Sequence, residues 1–508
     1  MSARRARRTA PGPTVLKAPT GIQGLDEITG GGLPKGRPTL ICGGPGCGKT
    51  ILAMEFLING AQRYKEPGVF MSFEESVDDL ALNFASLGFD PRQLAERKKL
   101  WIEYVRVEPS EIQETGAYDL DGLFIRLAHA IDSIGAKRVV LDTIETLFSG
   151  LADTRTLRAE LRRLFNWLRT KGVTAIITGE RGNAGLTRHG LEEYISDCVI
   201  LLDHRVVEQN ATRRLRVMKY RGSPHGANES PFFIDDSGIS VLPIASLGLQ
   251  HPVSAGRVSS GVPGLDEMLS GRGYFRGSSV LVSGTAGAGK TSVGGYLVDA
   301  ACRRGESALF FAFEESPAQI TRNLRSIGLD LEPWLRKGLL EIHATRTTTS
   351  GLEGHLNTMH RSIEAMRPRI VIVDPISNLI SVGTSVEVRA MLARLIDFMK
   401  VRKTTALFTS LTVDDRHPEE TDIGISSFMD TWLMLGNFEI NGERNRMISV
   451  LKSRGMPHSN QAREFVLTKR GLRLIDGVRD ARGLALTGAR RMAHSAANGA
   501  PIAGRGGS

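Results

Sequence analysis

"GGPGCGKT" occupies residues 43–50 and "GTAGAGKT" occupies residues 284–291. Both strings fit G-x-x-x-x-G-K-[S/T] between a strand and a helix. In that context, glycines let backbone N–H groups turn inward around phosphate oxygens, and the helix N-terminus adds partial positive charge. Lys49 and Lys290 are placed to reach β- and γ-phosphates, and Thr50 and Thr291 to hold Mg²⁺. Gly43, Gly46, Cys47, Gly48 and Ile51 complete the first cradle; Gly284, Gly287, Ala288, Gly289 and Ser292 complete the second. A glycine-rich turn alone would be weak evidence, but this string with its flanks, in duplicate, is strong.

The duplication extends well beyond the two loops. "TGIQGLDEITGGGLPKG" (20–36) matches "SGVPGLDEMLSGRGYFRG" (260–277), and "VFMSFEES" (69–76) matches "LFFAFEES" (309–316). "VVLDTIETL" (139–147) matches "VIVDPISNL" (371–379), and "VMKYRGSPH" (217–225) matches "VLKSRGMPH" (450–458). Lys49 and Lys290 stand 241 positions apart, Glu74 and Glu314 240. Landmarks in one order at a spacing that stays close to 240 indicate a tandem duplication, with the boundary expected in the turn-rich "LPIASLGLQHPVSAG" (242–256). Within a copy, short apolar runs such as "PTLICG" (38–43), "GVFMSF" and "RVVLD" read as buried strands. "KTILAMEFLINGAQRY" (49–64), with Leu52, Phe56 and Ala61 near one face, and "TLRAELRRLFNWLRTK" (156–171) read as helices. Strands alternating with helices give an α/β fold, here two tandem nucleotide-binding domains, each a mainly parallel twisted sheet flanked by helices. The expected domains are 16–246 and 247–478, between a basic N-terminal tail (1–15) and a Gly/Ala/Arg-rich C-terminal tail (479–508) whose compositions argue against packing.

At 508 residues, 41% hydrophobic and 24% charged, the chain has a globular composition and is too long for one core. The net charge of +10 raises a nucleic-acid partner as a question, but part of the excess lies in the tail at Arg4, Arg5, Arg7 and Arg8, so solvated basic tails are the expected reading. The four cysteines (Cys42, Cys47, Cys198 and Cys302) form no CxxC pair, which speaks against zinc and fits a reduced, cytoplasmic compartment. No apolar run is long enough to span a membrane, and the basic N-terminus is followed by "TAPGPTVLKAP" rather than a secretory apolar segment.

Three further repeated features carry chemistry. Asp142 and Asp374 end apolar strands, where a carboxylate can hold a magnesium-bound water; Glu314 joins Thr291 and Asp374 as a candidate on the metal side. The pairs Glu74–Glu75 and Glu314–Glu315 follow other strands; beside a γ-phosphate they can orient or deprotonate an attacking oxygen, although glutamates also suit a helix N-terminus. Lys219-Tyr220-Arg221 and Lys452-Ser453-Arg454 recur near late strands. They can form internal ion pairs, or complete a neighbouring subunit's nucleotide site from outside, which calls for a head-to-tail contact closed into a ring.

Walker loop, FEES glutamates, apolar-D strand, K-x-R-G and a second copy of everything, over roughly residues 15–478, resemble the KaiC family of circadian clock proteins. The resemblance includes "AYDLDGLFIRLAHAI" (117–131), "FEINGERNRMISVLKSRG" (438–455) and "AREFVLTKRG" (462–471). It implies two RecA-like ATPase domains in a two-tiered homohexamer with ATP between subunits, a slowly hydrolysing first ring, and a second ring that phosphorylates and dephosphorylates itself. The family's acceptor pair maps onto Ser426 and Ser427 in "DIGISSFMDTWL" (422–433); the first domain has "GLEEYISDCVIL" (190–201) there, with no hydroxyl pair. By the same resemblance, Ser86, Ser223, His225 and Asp236 fall at first-domain ATP positions, and Arg446, Lys452, Arg454 and His458 at second-domain ones. The chain departs from the family pattern in having Ser-Ser where clock proteins carry Ser-Thr, and Ile327 where an aromatic is expected near the adenine. Its C-terminal tail does not resemble the one that docks the activator KaiA, which speaks against KaiA control. Residues 108–122, "EPSEIQETGAYDLDG", resemble the first-domain region that binds KaiB.

Two other classes compete with this reading. A DNA-dependent motor of the same RecA-like class would need basic, aromatic or Gly-rich loops entering a pore, and none stands out; salt-dependent DNA binding with DNA-stimulated hydrolysis would favour it. A scaffold that uses ATP only to assemble sits poorly with intact glutamate pairs in both copies.

Overall fold

The runs read as strands lie edge to edge in a computed structural model of the chain, which describes residues 15–106, 120–147, 154–182, 196–207, 210–236, 238–243, 254–412, 424–440, 443–475, 478–479 and 485–486. The N-terminal tail up to residue 14, residues 108–119 of the KaiB-like stretch, residues 190–195, residues 244–253 at the expected boundary and residues 487–508 lie outside the described residues. Across the expected start of the C-terminal tail, Val478–Arg479 pairs antiparallel with Ala485–Leu486. The chain divides into two compact units, Met1–Ser246 and Leu247–Ser508.

In the first unit the strands are β1 (Pro38–Gly43), β2 (Gly68–Ser72), β3 (Leu100–Tyr104), β4 (Arg138–Asp142), β5 (Thr174–Glu180), β6 (Cys198–Val207), β7 (Asn210–Tyr220), β8 (Ser230–Asp235) and β9 (Gly238–Val241). They form one nine-stranded sheet in the order β3-β2-β4-β5-β1-β6-β7-β8-β9. Pairing is parallel from β3 through β6 and antiparallel from β6 to β9. All six residues of β1 are buried, as expected for a central parallel strand covered on both faces. Helix α1 (Lys49–Arg63) lies on one face, burying Leu52, Phe56 and Ala61 among others. Helices α2 (Val77–Ala85), α3 (Asp121–Ile134) and α4 (Thr154–Lys171) follow. The stripe Leu157, Leu161, Leu164, Phe165 and Leu168 seats α4 against the other face.

The second unit repeats this arrangement. Its strands are β10 (Ser279–Gly284), β11 (Ala308–Ala312), β12 (Leu340–Ala344), β13 (Ile370–Asp374), β14 (Thr405–Leu411), β15 (Thr431–Ile440), β16 (Glu443–Ser453), β17 (Arg463–Thr468) and β18 (Gly471–Ile475). They run β12-β11-β13-β14-β10-β15-β16-β17-β18, the same order as in the first unit. The matching helices are α5 (Lys290–Arg303), α6 (Pro317–Ser326), α7 (Leu352–Met366) and α8 (Ser385–Val401). Both sheets therefore place β1 and β10 in the middle, with the phosphate loop leaving their C-terminal ends, where open α/β sheets bind ligands.

The tie between the loop helix and the last hairpin differs between the units. Glu55 on α1 accepts from the Ile239 N–H at 2.8 Å and ties down hairpin β8–β9; in the second unit the Tyr296 hydroxyl accepts from the Leu472 N–H at 2.9 Å. Burial pushes the Glu55 carboxyl up from 4.5 to about 7. The folded state then holds a proton that the unfolded chain releases near pH 4.5, so this contribution is present below that pH and is lost as pH rises towards 7. Glu55→Gln keeps the acceptor and should flatten first-domain stability between pH 5 and 8, a slope on the order of 2–3 kcal/mol, read by thermal unfolding.

Candidate functional site

The two phosphate loops have the same geometry. The Lys49 Nζ donates to the carbonyls of Gly43 (2.8 Å) and Gly44 (3.0 Å), and the Lys290 Nζ to those of Gly284 (2.8 Å) and Thr285 (2.8 Å). Burial lowers the Lys290 pKa. Gly46 (φ 68) and Gly287 (φ 75) hold left-handed conformations, and a Cβ at either would project into open space, the space of the cradle itself. At Gly48, capping α1 with φ 98, a Cβ would lie 2.7 Å from Ile234 Cδ1, so hairpin β8–β9 closes directly over the loop.

Asp142 ends β4 beside β2, and Asp374 ends β13 beside β11. Each buried carboxylate accepts from the hydroxyl of a neighbouring strand, Thr178 or Thr409, and from the loop threonine, Thr50 or Thr291. Burial raises both aspartate pKa values. Among the described residues no group of three or more His, Cys, Asp or Glu is arranged to cage a metal. Mg²⁺ in nucleotide sites takes most of its ligands from phosphate and water, so one hydroxyl beside one carboxylate fits it. These residues would hold the ion, and it would neutralise charge on the β- and γ-oxygens.

The glutamate pairs occupy the turns between β2 and α2 and between β11 and α6, just before the helix caps Ser76 and Ser316. Glu74 Oε1 accepts from the hydroxyls of Thr143 and Thr146, each at 2.7 Å. Glu75 Oε2 accepts from Asn83 at 3.1 Å, and Glu315 Oε1 from Asn323 at 3.0 Å. Burial and the nearby Asp374 raise the Glu315 pKa.

A cleft of about 520 Å³ opens over the first loop, lined by Lys49, Thr50, Ile51, Glu75, Ser86 and also by Arg213 and Ile234. A cleft of about 380 Å³ over the second is lined by Lys290, Thr291, Ser292, Glu314, Glu315 and Asp374, with Ile320 and Leu467. Asp236 belongs on this side: a Cβ at Gly88, just past Ser86, would meet its carbonyl at 3.0 Å. So does Arg446, whose Nε donates to the Gly287 carbonyl at 3.4 Å. Arg213 and the apolar wall from the returning hairpins escaped the motif reading. Arg213 could have been found from the repeat, since it stands 233 positions before Arg446, the offset that relates Lys219 to Lys452.

The KaiC ATPase family model matches this chain twice, over residues 18–246 and 258–478. The chain belongs to the KaiC family. It is 56% identical over 481 residues to the circadian clock protein KaiC2 of Synechocystis sp., covering 94% of this chain and 84% of that protein. It is 38% identical over 466 residues to the circadian clock oscillator protein KaiC of Prochlorococcus marinus, covering 91% and 93%, and 37% identical over 473 residues to that of Thermostichus vulcanus, covering 92% and 91%. Both units are thus KaiC-type, RecA-like α/β ATPase domains.

The remaining sequence candidates gather at the opposite end of each KaiC-type sheet. Lys219 is registered against Val199, which pairs with Leu40 near the start of β1; Lys452 is registered against Trp432, which pairs with Leu281 near the start of β10. The phosphate loops leave the other ends of β1 and β10. Arg221 stands 4.0 Å from Asp197, Tyr220 is buried and donates to the Gly32 carbonyl, and the Ser453 hydroxyl meets that of Thr431. Ser223 accepts from Lys17 at 2.7 Å; His225 and His458 are half-buried in the loops that follow. Ser426 and Ser427 form a tight turn at the same end, tied by the Asp430 N–H to the Ser279 carbonyl at 2.9 Å. Lys452 Nζ donates to the Ser426 carbonyl at 2.9 Å and Arg454 to the Ser427 carbonyl at 2.8 Å. Ser427 is exposed and Ser426 half-buried. Ile327 caps α6 and packs on the second-unit core. No helix among the described residues is long and apolar enough to cross a membrane.

Proposed function

We propose that this KaiC-family ATPase is a serine autokinase and autophosphatase of the circadian-timing kind, acting as a two-tiered homohexamer with Mg·ATP at its subunit interfaces. In this reading residues 16–246 form the hydrolysing ring and 247–478 the autokinase ring, with tails at 1–15 and 479–508. The carrying observation is the separation of groups across each sheet. The serine turn, Lys452 and Arg454 sit at the end of the second sheet opposite its own phosphate loop, so they meet a γ-phosphate only on another copy. The clock names of the relatives support the timing role. The stretch resembling the KaiB-binding region makes a KaiB-like partner part of the proposal, and KaiA is left out of it.

The chemistry follows from placement. Lys290 and the loop amides hold the phosphates, and Thr291 with Asp374 would carry Mg²⁺. Glu314, with Glu315 beside it, accepts the hydroxyl proton from Ser426 or Ser427 of the adjoining chain. The serine oxygen bonds to the γ-phosphorus as the bond to the bridging oxygen breaks and ADP departs. Lys452 and Arg454 arrive with that serine and offset the charge on the transferred group. In the first ring, water takes the serine's place and Glu74 or Glu75 positions it, with Lys219 and Arg221 arriving from the neighbour. Tyr220, Ser223 and His225, and in the second ring Ser453 and His458, accompany those cations to the neighbour's nucleotide. Ser86, Asp236 and Arg446 contact the nucleotide of their own chain.

After incubation with Mg·ATP, mass spectrometry of phosphopeptides should find phosphate on Ser426 or Ser427, and Ser426→Ala/Ser427→Ala should lose essentially all of it. Equal occupancy in the two proteins would remove the acceptor assignment while leaving ATP hydrolysis intact.

A further inference from the structure

The two catalytic carboxylates proposed above are held differently. Glu74 Oε1 receives two hydroxyl hydrogen bonds of 2.7 Å, from Thr143 and Thr146. Thr143 is buried directly after Asp142, and Thr146 follows on the short helix Ile144–Leu147. With Asp142 aligned to Asp374, Thr143 corresponds to Pro375 and Thr146 to Asn378. Proline carries no donor, and among the described residues no hydrogen bond runs from the Asn378 amide to Glu314. Among the described residues no hydrogen bond reaches the Glu314 carboxylate, although it lines the second cleft as Glu74's counterpart.

Two donors converging on one oxygen fix the plane and rotamer of a carboxylate, and they leave its second oxygen as the only free acceptor. We infer that Thr143 and Thr146 are positioning residues that lock Glu74 for attack by water, and that the absence of both hydroxyls leaves Glu314 free to turn to a serine acceptor. In the first domain the water oxygen bonds to the γ-phosphorus as the bridging bond breaks; Glu74 Oε2 takes the water proton, and ADP leaves with the bond's electron pair. A pinned Oε2 holds water at one angle to the phosphorus. An unpinned Glu314 meets a hydroxyl whose position is set by another chain. This inference rests on Glu74 being the water-orienting carboxylate.

The test uses full-length protein carrying Lys290→Ala, so that only first-domain turnover is read. Thr143→Val/Thr146→Val should lower kcat by about 10- to 100-fold with KM for ATP changed by less than about twofold, as expected when geometry and not binding is lost. Thr143→Ser/Thr146→Ser, which keeps both donors, should retain most of the rate. A merely structural role would raise KM and would not depend on the hydroxyl. Thr146 is half-buried, so Thr146→Val alone should fold and lose part of the rate if the double variant is unstable. Parental kcat in the valine variants overturns the inference. Glu74→Gln is measured alongside: if it too keeps the parental rate, the assignment of Glu74 itself has failed, which is a separate result.

Discussion

Mixing Lys290→Ala chains with Ser426→Ala/Ser427→Ala chains should place phosphate on the Lys290→Ala chains, although neither variant alone becomes phosphorylated. The first keeps its serines and loses the ammonium that sits over the second phosphate loop, held at 2.8 Å by two loop carbonyls. Removing that charge takes away a preorganised partner for the β- and γ-phosphates, and single donors of this kind are worth about 10²–10³ in rate. The second variant keeps the loop and loses the acceptors. Complementation follows from the topology: Asp430, just past the serines, is bonded to Ser279 at the start of β10, whereas Lys290 follows the loop that leaves its end. A serine at one end of a strand six residues long cannot reach a phosphate at the other. In the proposed autokinase, phosphate therefore crosses between chains, and the K-x-R cations would cross with it because they are bonded to the carbonyls of that turn. The measurement is phosphopeptide mass spectrometry on chains distinguished by isotope labelling. If mixing yields no phosphate while each variant still assembles with wild type, transfer across the interface is excluded. The same experiment with Lys49→Ala should leave serine phosphorylation possible and remove only the first domain's share of ADP release.

The phosphate loops, the acid-ended strands and the glutamate pairs were readable because each is local: a glycine pattern, an apolar run, or a strand-to-helix turn written in consecutive residues. Duplication then exposed the fold, since one order of landmarks repeated at nearly constant spacing yields the same sheet twice. The far wall of each cleft was not readable in that way. Ile234 and Leu467 reach the loops on strands that return after two antiparallel turns, and nothing in their local sequence marks them. Thr143 and Thr146 read as ordinary residues of a strand-to-helix turn, and only tertiary placement aims both hydroxyls at one glutamate oxygen. The K-x-R cations carried two readings from sequence, an internal pair or a contact to a neighbour. The structure places Arg221 4.0 Å from Asp197, and it bonds Lys452 and Arg454 to carbonyls of their own serine turn, at the sheet end where another copy would have to dock.

Nothing in the local sequence marks Arg138 as a tertiary anchor, and its removal should be the most damaging single change to first-domain stability. It opens "RVVLD", and its side chain is fully buried. The Nε donates to Glu66 Oε2 at 2.8 Å, and the other guanidinium nitrogens donate to the Phe56 carbonyl at 2.8 Å and the Pro19 carbonyl at 2.9 Å. The guanidinium also lies 4.4 Å from the Phe56 ring centroid and 5.2 Å from that of Tyr64. One side chain thus joins the entry segment at Pro19, helix α1 and the loop before β2. Gly60 exists to admit it: a Cβ there would come within 2.5 Å of Arg138 Cδ. Arg138→Ala leaves a cavity and strips the Phe56 and Pro19 carbonyls of their donor, while Glu66 keeps Lys35 at 3.3 Å, a loss of about 3–5 kcal/mol. For a domain of this size that lowers the melting temperature by roughly 10 °C. The second unit has Ile370 at this position and no such clamp. Calorimetry of the variant should therefore show the first domain's transition moving while hydrogen exchange in β10–β18 stays at its parental level. Arg138→Ile, which borrows the second unit's side chain, should restore part of the lost packing but none of the three hydrogen bonds. A parental melting temperature for Arg138→Ala would mean that desolvating the guanidinium costs as much as its contacts return, the case in which a buried ion pair contributes nothing net.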